Sequence, residues 1–151
     1  MTASDRHIEH LNSLLRGEIA ATETYQQAIA NLDATALAGG LRRMHAEHRE
    51  SANLLRLLVR QCGGTPDHSS GTWGLWAKFV EGAAGLFGAD AALEALEEGE
   101  ERGVADYEAA LQDDELPAPA KALIRDRLLP QTRAHIEALE RMMSTMWRPN
   151  R

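Results

Sequence analysis

Apolar residues recur at steps of three and four along four long stretches of the chain, a spacing typical of amphipathic α-helices. In the first stretch, only Glu18 and Thr22 interrupt the line of residues that would face a core. In the third stretch, Glu100 interrupts a similar apolar line. Each of these two helices therefore directs one carboxylate inward. The pattern predicts long helices over about residues 4–32, 35–62, 89–112 and 120–146.

The connections between these helices are short after the first and third and long in the middle. A Gly-Gly-Thr-Pro sequence that begins at Gly63 ends the second helix, because glycine favours a helix C-cap and proline cannot continue the helix. Helical spacing of apolar residues within the long connection predicts a short amphipathic helix over about residues 73–87. Two antiparallel hairpins joined by such a crossover make an all-α four-helix bundle, which we predict as one domain over residues 1–151.

Pro130 lies inside the fourth predicted helix. In a regular α-helix its ring removes one backbone donor and collides with the carbonyl of the preceding turn. We therefore expect a kink there, about one turn before His135.

One short sequence occurs twice. Gly17-Glu18 is followed after six residues by Tyr25, and Gly99-Glu100 is followed after the same interval by Tyr107. The repeat would bring the two glutamates to opposite sides of one core, at similar heights along the bundle. We expect the two tyrosine hydroxyls to donate hydrogen bonds to these carboxylates.

A histidine follows each glutamate on the neighbouring helix. His48 lies on the inward face of the second helix beside Glu47, and His135 lies on the inward face of the fourth. A buried carboxylate without a partner costs several kcal/mol, so we expect these residues to be paired with one another or to bind a ligand. Carboxylate oxygens and imidazole nitrogens together suit iron, manganese or zinc. The candidate metal ligands are Glu18, Glu47, His48, Glu100 and His135.

The same residues also allow an interpretation without a metal. Buried histidines and glutamates can satisfy one another in a hydrogen-bonded network. The protein would then be a metal-free helical bundle that acts as a structural or partner-binding module. An aromatic stripe formed by Trp73, Trp76 and Phe79 either covers one open end of the bundle or makes a homodimer interface.

The composition sets further bounds on function. The 151 residues carry a formal net charge of -7, from 16 basic and 23 acidic side chains, which argues against nucleic acid and anionic membranes as partners. Cys62 is the one cysteine, so no intramolecular disulfide can form, as is usual in a reducing compartment. Residues 1–6 lack the features of a signal peptide and no apolar stretch is long enough to span a membrane, so we expect a cytoplasmic protein.

The chain resembles the ferritin-like superfamily, which consists of four-helix bundles with carboxylate-bridged di-iron or di-manganese centres. Within that superfamily it is similar to the bacterial ferritin-like bundles of the DUF2383 type. The resemblance implies a ferritin-like bundle that binds iron, or alternatively manganese or zinc, as one or two ions. It also implies oxygen- or peroxide-linked metal oxidation, or simple metal binding. The stretches that carry it are residues 11–25, 70–87, 98–111 and 128–139.

The ligand pattern of the superfamily has one glutamate on each of two helices and a Glu-x-x-His motif on each of the other two. Glu18 and Glu100 match the single glutamates, and His48 and His135 match the histidines.

The two glutamates of the Glu-x-x-His motifs are replaced by His45 and Thr132. Glu47 and Glu50 are near enough along the second helix to substitute in part. The partial match leaves open a mononuclear site, a non-standard dinuclear site and a site that has lost its metal.

Overall fold

The computed structural model describes residues 2–32, 36–71 and 88–146. Within these ranges the chain is helical and has no strand, and none of its helices is both long and apolar enough to cross a membrane. The helices are α1 (Ala3–Leu32), α2 (Ala38–Gln61), α3 (Ala89–Leu111), α4 (Ala118–Leu123) and α5 (Leu129–Met146), with a π-helical turn (Ile124–Leu128) between α4 and α5.

The predicted all-α four-helix bundle is confirmed, with helix ends that differ from the predicted ones by a few residues. The second helix begins at Ala38 rather than near residue 35. The fourth helical region begins earlier than predicted, at Ala118, because Pro119 falls in its first turn, where a missing N–H group breaks no helical hydrogen bond. The predicted short helix over residues 73–87 and the aromatic stripe lie outside the described residues.

The bundle core consists of two apolar clusters separated by a polar layer. One, the lower cluster, lies toward the beginning of α1 and includes the fully buried residues Leu11, Leu15, Leu55, Val59, Ile124 and Leu128. The other, the upper cluster, lies toward the end of α1 and includes Tyr25, Leu41, Met44, Leu93, Leu96 and Leu139.

The order in which each helix meets the two clusters gives its direction. Helix α1 runs from the lower cluster to the upper one, and so does the region from α4 to α5. Helices α2 and α3 both run from the upper cluster to the lower one. Consecutive helices that run parallel need a long connection between them, and the 27 residues from 62 to 88 that separate α2 from α3 meet this need.

The disruption expected at Pro130 takes the form of the π-helical turn. The Leu129 N–H donates to the carbonyl of Ile124, five residues earlier, rather than to the residue four earlier. The wider turn accommodates the chain just before the proline ring, which cannot follow a regular α-helical turn without a clash. Ile124 and Leu128 nevertheless remain fully buried.

Candidate metal site

The polar layer takes one residue from each of the four long helices of the bundle. Glu18 comes from α1, His48 from α2, Glu100 from α3 and His135 from α5. Each of these residues is at most 5% exposed. Apolar side chains lie above and below the layer, so its polar atoms must satisfy one another or hold a ligand.

His48 lies between two carboxylates. Its Nδ1 atom is 2.6 Å from Glu18 Oε2 and its Nε2 atom is 2.5 Å from Glu100 Oε1. A ring that donates from both nitrogens is an imidazolium. Burial alone would lower the pKa of His48, but the charges of Glu100 and Glu18 outweigh burial and raise this pKa well above its usual value.

Glu100 lies against both histidines of the layer and against Tyr25. Its Oε1 atom accepts the His48 hydrogen bond and a second one, 2.7 Å long, from the Tyr25 hydroxyl. Burial opposes ionisation of Glu100, yet His48 and His135 together lower its pKa to about 2. Its other oxygen, Oε2, is buried and has no hydrogen-bond partner in the described part of the chain.

His135 has one satisfied nitrogen and one open nitrogen. Its Nε2 atom is 3.1 Å from Glu47 Oε1, so the N–H at this position donates to Glu47. Its Nδ1 atom is 3.3 Å from Glu100 Oε1 and has no hydrogen-bond partner among the described residues. A proton or a metal cation held between Nδ1 and Glu100 Oε1 at this separation would be stabilised by both atoms.

The two tyrosines of the repeat donate to the carboxylates, as predicted, and they do so across the repeat. Tyr25 donates to Glu100, and Tyr107 donates to Glu18. Burial, reinforced by the neighbouring carboxylates, raises the pKa of both phenols well above the usual value, so they stay protonated as donors. Each copy of the repeated sequence therefore completes the site of the other.

The structure brings all five predicted ligands to the polar layer. Three of them lie close together, and the other two lie behind these. His48, Glu100 and His135 each offer one ligand atom, and these three atoms lie within 4.8 Å of one another. Glu18 and Glu47 lie one hydrogen bond further out, against His48 and His135 respectively. A metal ion can therefore be held by two imidazoles and one carboxylate, with a further carboxylate behind each imidazole.

The positions that depart from the superfamily pattern stay out of this centre. Thr132 is buried but donates to the Leu128 carbonyl of its own helix, at 2.7 Å. His45 is half-buried, and burial lowers its pKa. Glu50 is exposed and forms an ion pair with Arg127 at 2.7 Å, so Glu47 alone among the nearby glutamates of α2 reaches the layer.

Sequence reasoning gave no role to the glycines of the repeated sequence. Gly17 and Gly99 line a small cavity that adjoins the polar layer, together with Gly103. The signal was present in the sequence, because the repeat keeps the glycine as well as the glutamate.

Together, the fold and the polar layer define a four-helix bundle with a buried histidine–glutamate cluster that can hold a metal ion. Among protein families, the one described as a domain of unknown function, DUF2383, matches residues 6–113, and the chain belongs to this family. No curated protein matches the chain.

Proposed function

We propose that the protein is a metal-binding bundle of the ferritin-like kind, in which His48, Glu100 and His135 hold one divalent ion. The observation that carries this proposal is a pair of buried atoms without partners in the described structure. Glu100 Oε2 and His135 Nδ1 belong to this pair, and the nitrogen is only 3.3 Å from the other oxygen of the same carboxylate. A cation bound by these atoms would satisfy both.

The outer carboxylates support the same assignment. Glu18 accepts from His48 Nδ1, and Glu47 accepts from His135 Nε2. Metal-ligating histidines commonly donate their second N–H to a carboxylate, which fixes the tautomer and the ring orientation. Here each histidine has such a carboxylate on one nitrogen and directs the other nitrogen toward Glu100.

The ligand types limit the choice of metal. Two imidazoles and one carboxylate suit zinc, ferrous iron and manganese, and no thiolate takes part. Bound iron or manganese would supply redox chemistry toward oxygen or peroxide, whereas zinc would supply Lewis acidity. The chain itself supplies apolar clusters above and below the site and two tyrosine donors that hold the carboxylates in place. The proton on His48 Nε2 must leave before this nitrogen can bind a metal.

A second candidate function is a metal-free bundle that acts as a structural or partner-binding module. The bonding of His48 favours it, because both ring nitrogens already donate to carboxylates. The resulting chain of hydrogen bonds runs continuously from Tyr107 through Glu18, His48 and Glu100 to Tyr25. This network satisfies one half of the layer but not Glu100 Oε2 or His135 Nδ1, so the metal-binding function accounts for more of the structure.

Metal analysis of protein purified without a polyhistidine tag separates the two functions. The protein, reconstituted without oxygen in turn with Fe²⁺, Mn²⁺ and Zn²⁺, should retain about one equivalent of at least one ion after gel filtration. Retention below about a tenth of an equivalent of every ion would overturn the metal-binding function and favour the metal-free bundle.

A pair of matched variants then tests the ligand set. Glu100→Gln keeps the size of the side chain but removes its charge, so metal retention should fall by more than about tenfold. Glu101→Gln makes the same change at the next residue, which is exposed, and should bind like the parent. Circular dichroism should show that both variants remain helical. If Glu100→Gln retains metal as well as the parent does, the proposed ligand set is wrong.

A further inference from the structure

Three glycines lie inside helices next to the polar layer. Gly17 is in the middle of α1, and Gly99 and Gly103 are one turn apart in α3. Glycine is one of the least favourable residues in a helix interior, because it loses the most backbone freedom on folding. Gly17 and Gly99 hold equivalent places in the two copies of the repeat, so the use of glycine at both places calls for a local reason.

The three glycines line a cavity of about 30 Å³, which has room for about two water molecules. Its wall is formed mainly by α1 and α3, with one residue each from α2 and α5. Glu18, His48 and Glu100 also line this cavity, and all three are buried. Asp106, by contrast, is an exposed lining residue, so the cavity extends from the protein surface to the polar layer.

We propose that this glycine-lined cavity is the route by which a divalent metal ion reaches the histidine–glutamate cluster, with the Asp106 carboxylate as the first protein contact of the ion. This inference rests on the proposed metal-binding function. The lower and upper clusters close the layer toward both ends of the bundle, so an ion must arrive from the side. Oxygen ligands such as a carboxylate attract and partly dehydrate divalent cations.

Close packing of the helices does not account for the glycine at position 103. A Cβ atom placed there would meet Thr132 Cγ2 at 3.5 Å, which is an ordinary van der Waals contact. Alanine therefore fits against Thr132, and because Thr132 also lines the cavity, the added methyl group would stand in the cavity wall. Gly103→Ala narrows the route without displacing a ligand.

The test measures the kinetics of metal binding rather than activity. Co²⁺ uptake is followed by visible absorption after rapid mixing with metal-free protein, and release is followed after addition of excess chelator. In Gly103→Ala, uptake and release should both slow by about tenfold, because a narrower route raises the barrier in both directions. The dissociation constant should stay the same, and the melting temperature should stay the same or rise by about 2 °C.

Gly39→Ala is the matched control. This glycine is exposed in the first turn of α2, and a Cβ atom there would meet nothing within 4 Å. Its uptake and release rates should equal those of the parent. Equal rates in Gly103→Ala and the parent would overturn the route but leave the metal site intact. A parent protein that takes up no Co²⁺ would overturn the proposed function, and the route with it.

Asp106→Asn tests the outer end of the route without changing its width. Loss of this charge should slow Co²⁺ uptake by about threefold at low salt and by less at high salt, because attraction of an exposed charge is screened. Asp114→Asn, an exposed change in the loop after α3, is the control and should leave the rate unchanged. An uptake rate that Asp106→Asn does not alter at low salt would contradict the assignment of Asp106.

Discussion

His48 and His135 hold equivalent places in the sequence repeat, but their surroundings in the bundle differ. His48 is saturated, since each of its nitrogens donates to a buried carboxylate. His135 donates from one nitrogen to Glu47, which is partly exposed, and its other nitrogen has no hydrogen-bond partner in the described part of the chain. The half of the layer that contains His48 is thus a complete ion-pair network, which we call the closed half. The half that contains His135 is an incomplete ligand set, which we call the open half.

The difference arises because Glu100 serves both histidines. Its Oε1 atom accepts from His48 at 2.5 Å and lies 3.3 Å from His135. The repeat also lacks a counterpart of Glu47, because the residue before His135 is Ala134. Symmetry in the sequence therefore produces an asymmetric site, in which the His48 half stabilises the fold and the His135 half provides the open ligand positions.

The largest effect on the free energy of unfolding should come from removing the imidazolium of His48 in the closed half. In metal-free protein, His48→Gln should lower the free energy of unfolding by about 3–5 kcal/mol, because Glu18 and Glu100 remain buried without their cation. His135→Gln removes one hydrogen bond to a partly exposed carboxylate and should cost only about 1 kcal/mol. Urea unfolding measures both. Equal losses in the two variants would show that the halves do not differ as the contacts indicate.

The tyrosines should give the next largest effect. Tyr25→Phe and Tyr107→Phe each remove one hydrogen bond to a buried carboxylate, which is worth about 1.5–3 kcal/mol. Because the two bonds cross the repeat reciprocally, the two losses should be similar in metal-free protein. A loss confined to one variant would show that the reciprocal arrangement contributes to stability on one side only.

The pH dependence of the metal-free protein reports on the closed half. The pKa of Glu100 is lowered from its usual value of 4.5 to about 2 in the folded protein. Its contribution to the free energy of unfolding is therefore present above pH 4.5 and is lost as the pH falls toward 2. The pKa of His48 rises well above 6.5, so its contribution is full below pH 6.5 and is lost as the pH rises through the folded value.

Metal-free protein should therefore be most stable between about pH 4.5 and pH 6.5, and each of these two groups should change stability by at most about 1.4 kcal/mol per pH unit outside that window. Urea unfolding across pH 3–9 measures the profile. In Glu100→Gln the acidic limb should flatten, since the group that titrates there is gone. An unchanged acidic limb in this variant would show that other carboxylates control it.

The sequence predicts the bundle well because periodicity determines which face of each helix is buried. The same periodicity directs Glu18, His48, Glu100 and His135 inward, and the repeat places them at one height. It does not determine which carboxylate meets which imidazole, because this depends on helix rotation and side-chain rotamers. The contact of Glu47 with His135, 88 residues apart, is one that no local pattern contains.

Pro130 gives a second example of this limit. The sequence correctly marks where the regular α-helix is disturbed, since proline removes a donor wherever it occurs. Whether the helix responds by bending or by a wider turn depends on what must stay buried around it. Here Ile124 and Leu128 both remain in the lower cluster, and a π-helical turn is compatible with that burial.

The smallest effect should come from the outer carboxylate of the open half. Glu47→Gln keeps an oxygen that can accept the His135 N–H but removes its charge, so the imidazole becomes a weaker ligand. Because Glu47 is partly exposed, metal affinity should fall by only about tenfold, and the stability of metal-free protein should change little. Isothermal titration with Zn²⁺ measures the affinity, and urea unfolding measures the stability.

Glu18→Gln is the informative comparison, since it weakens the partner of His48 in the closed half and should reduce the stability of metal-free protein as well. If Glu47→Gln lowers that stability as much as Glu18→Gln does, Glu47 belongs to the closed network and the division between the two halves is wrong.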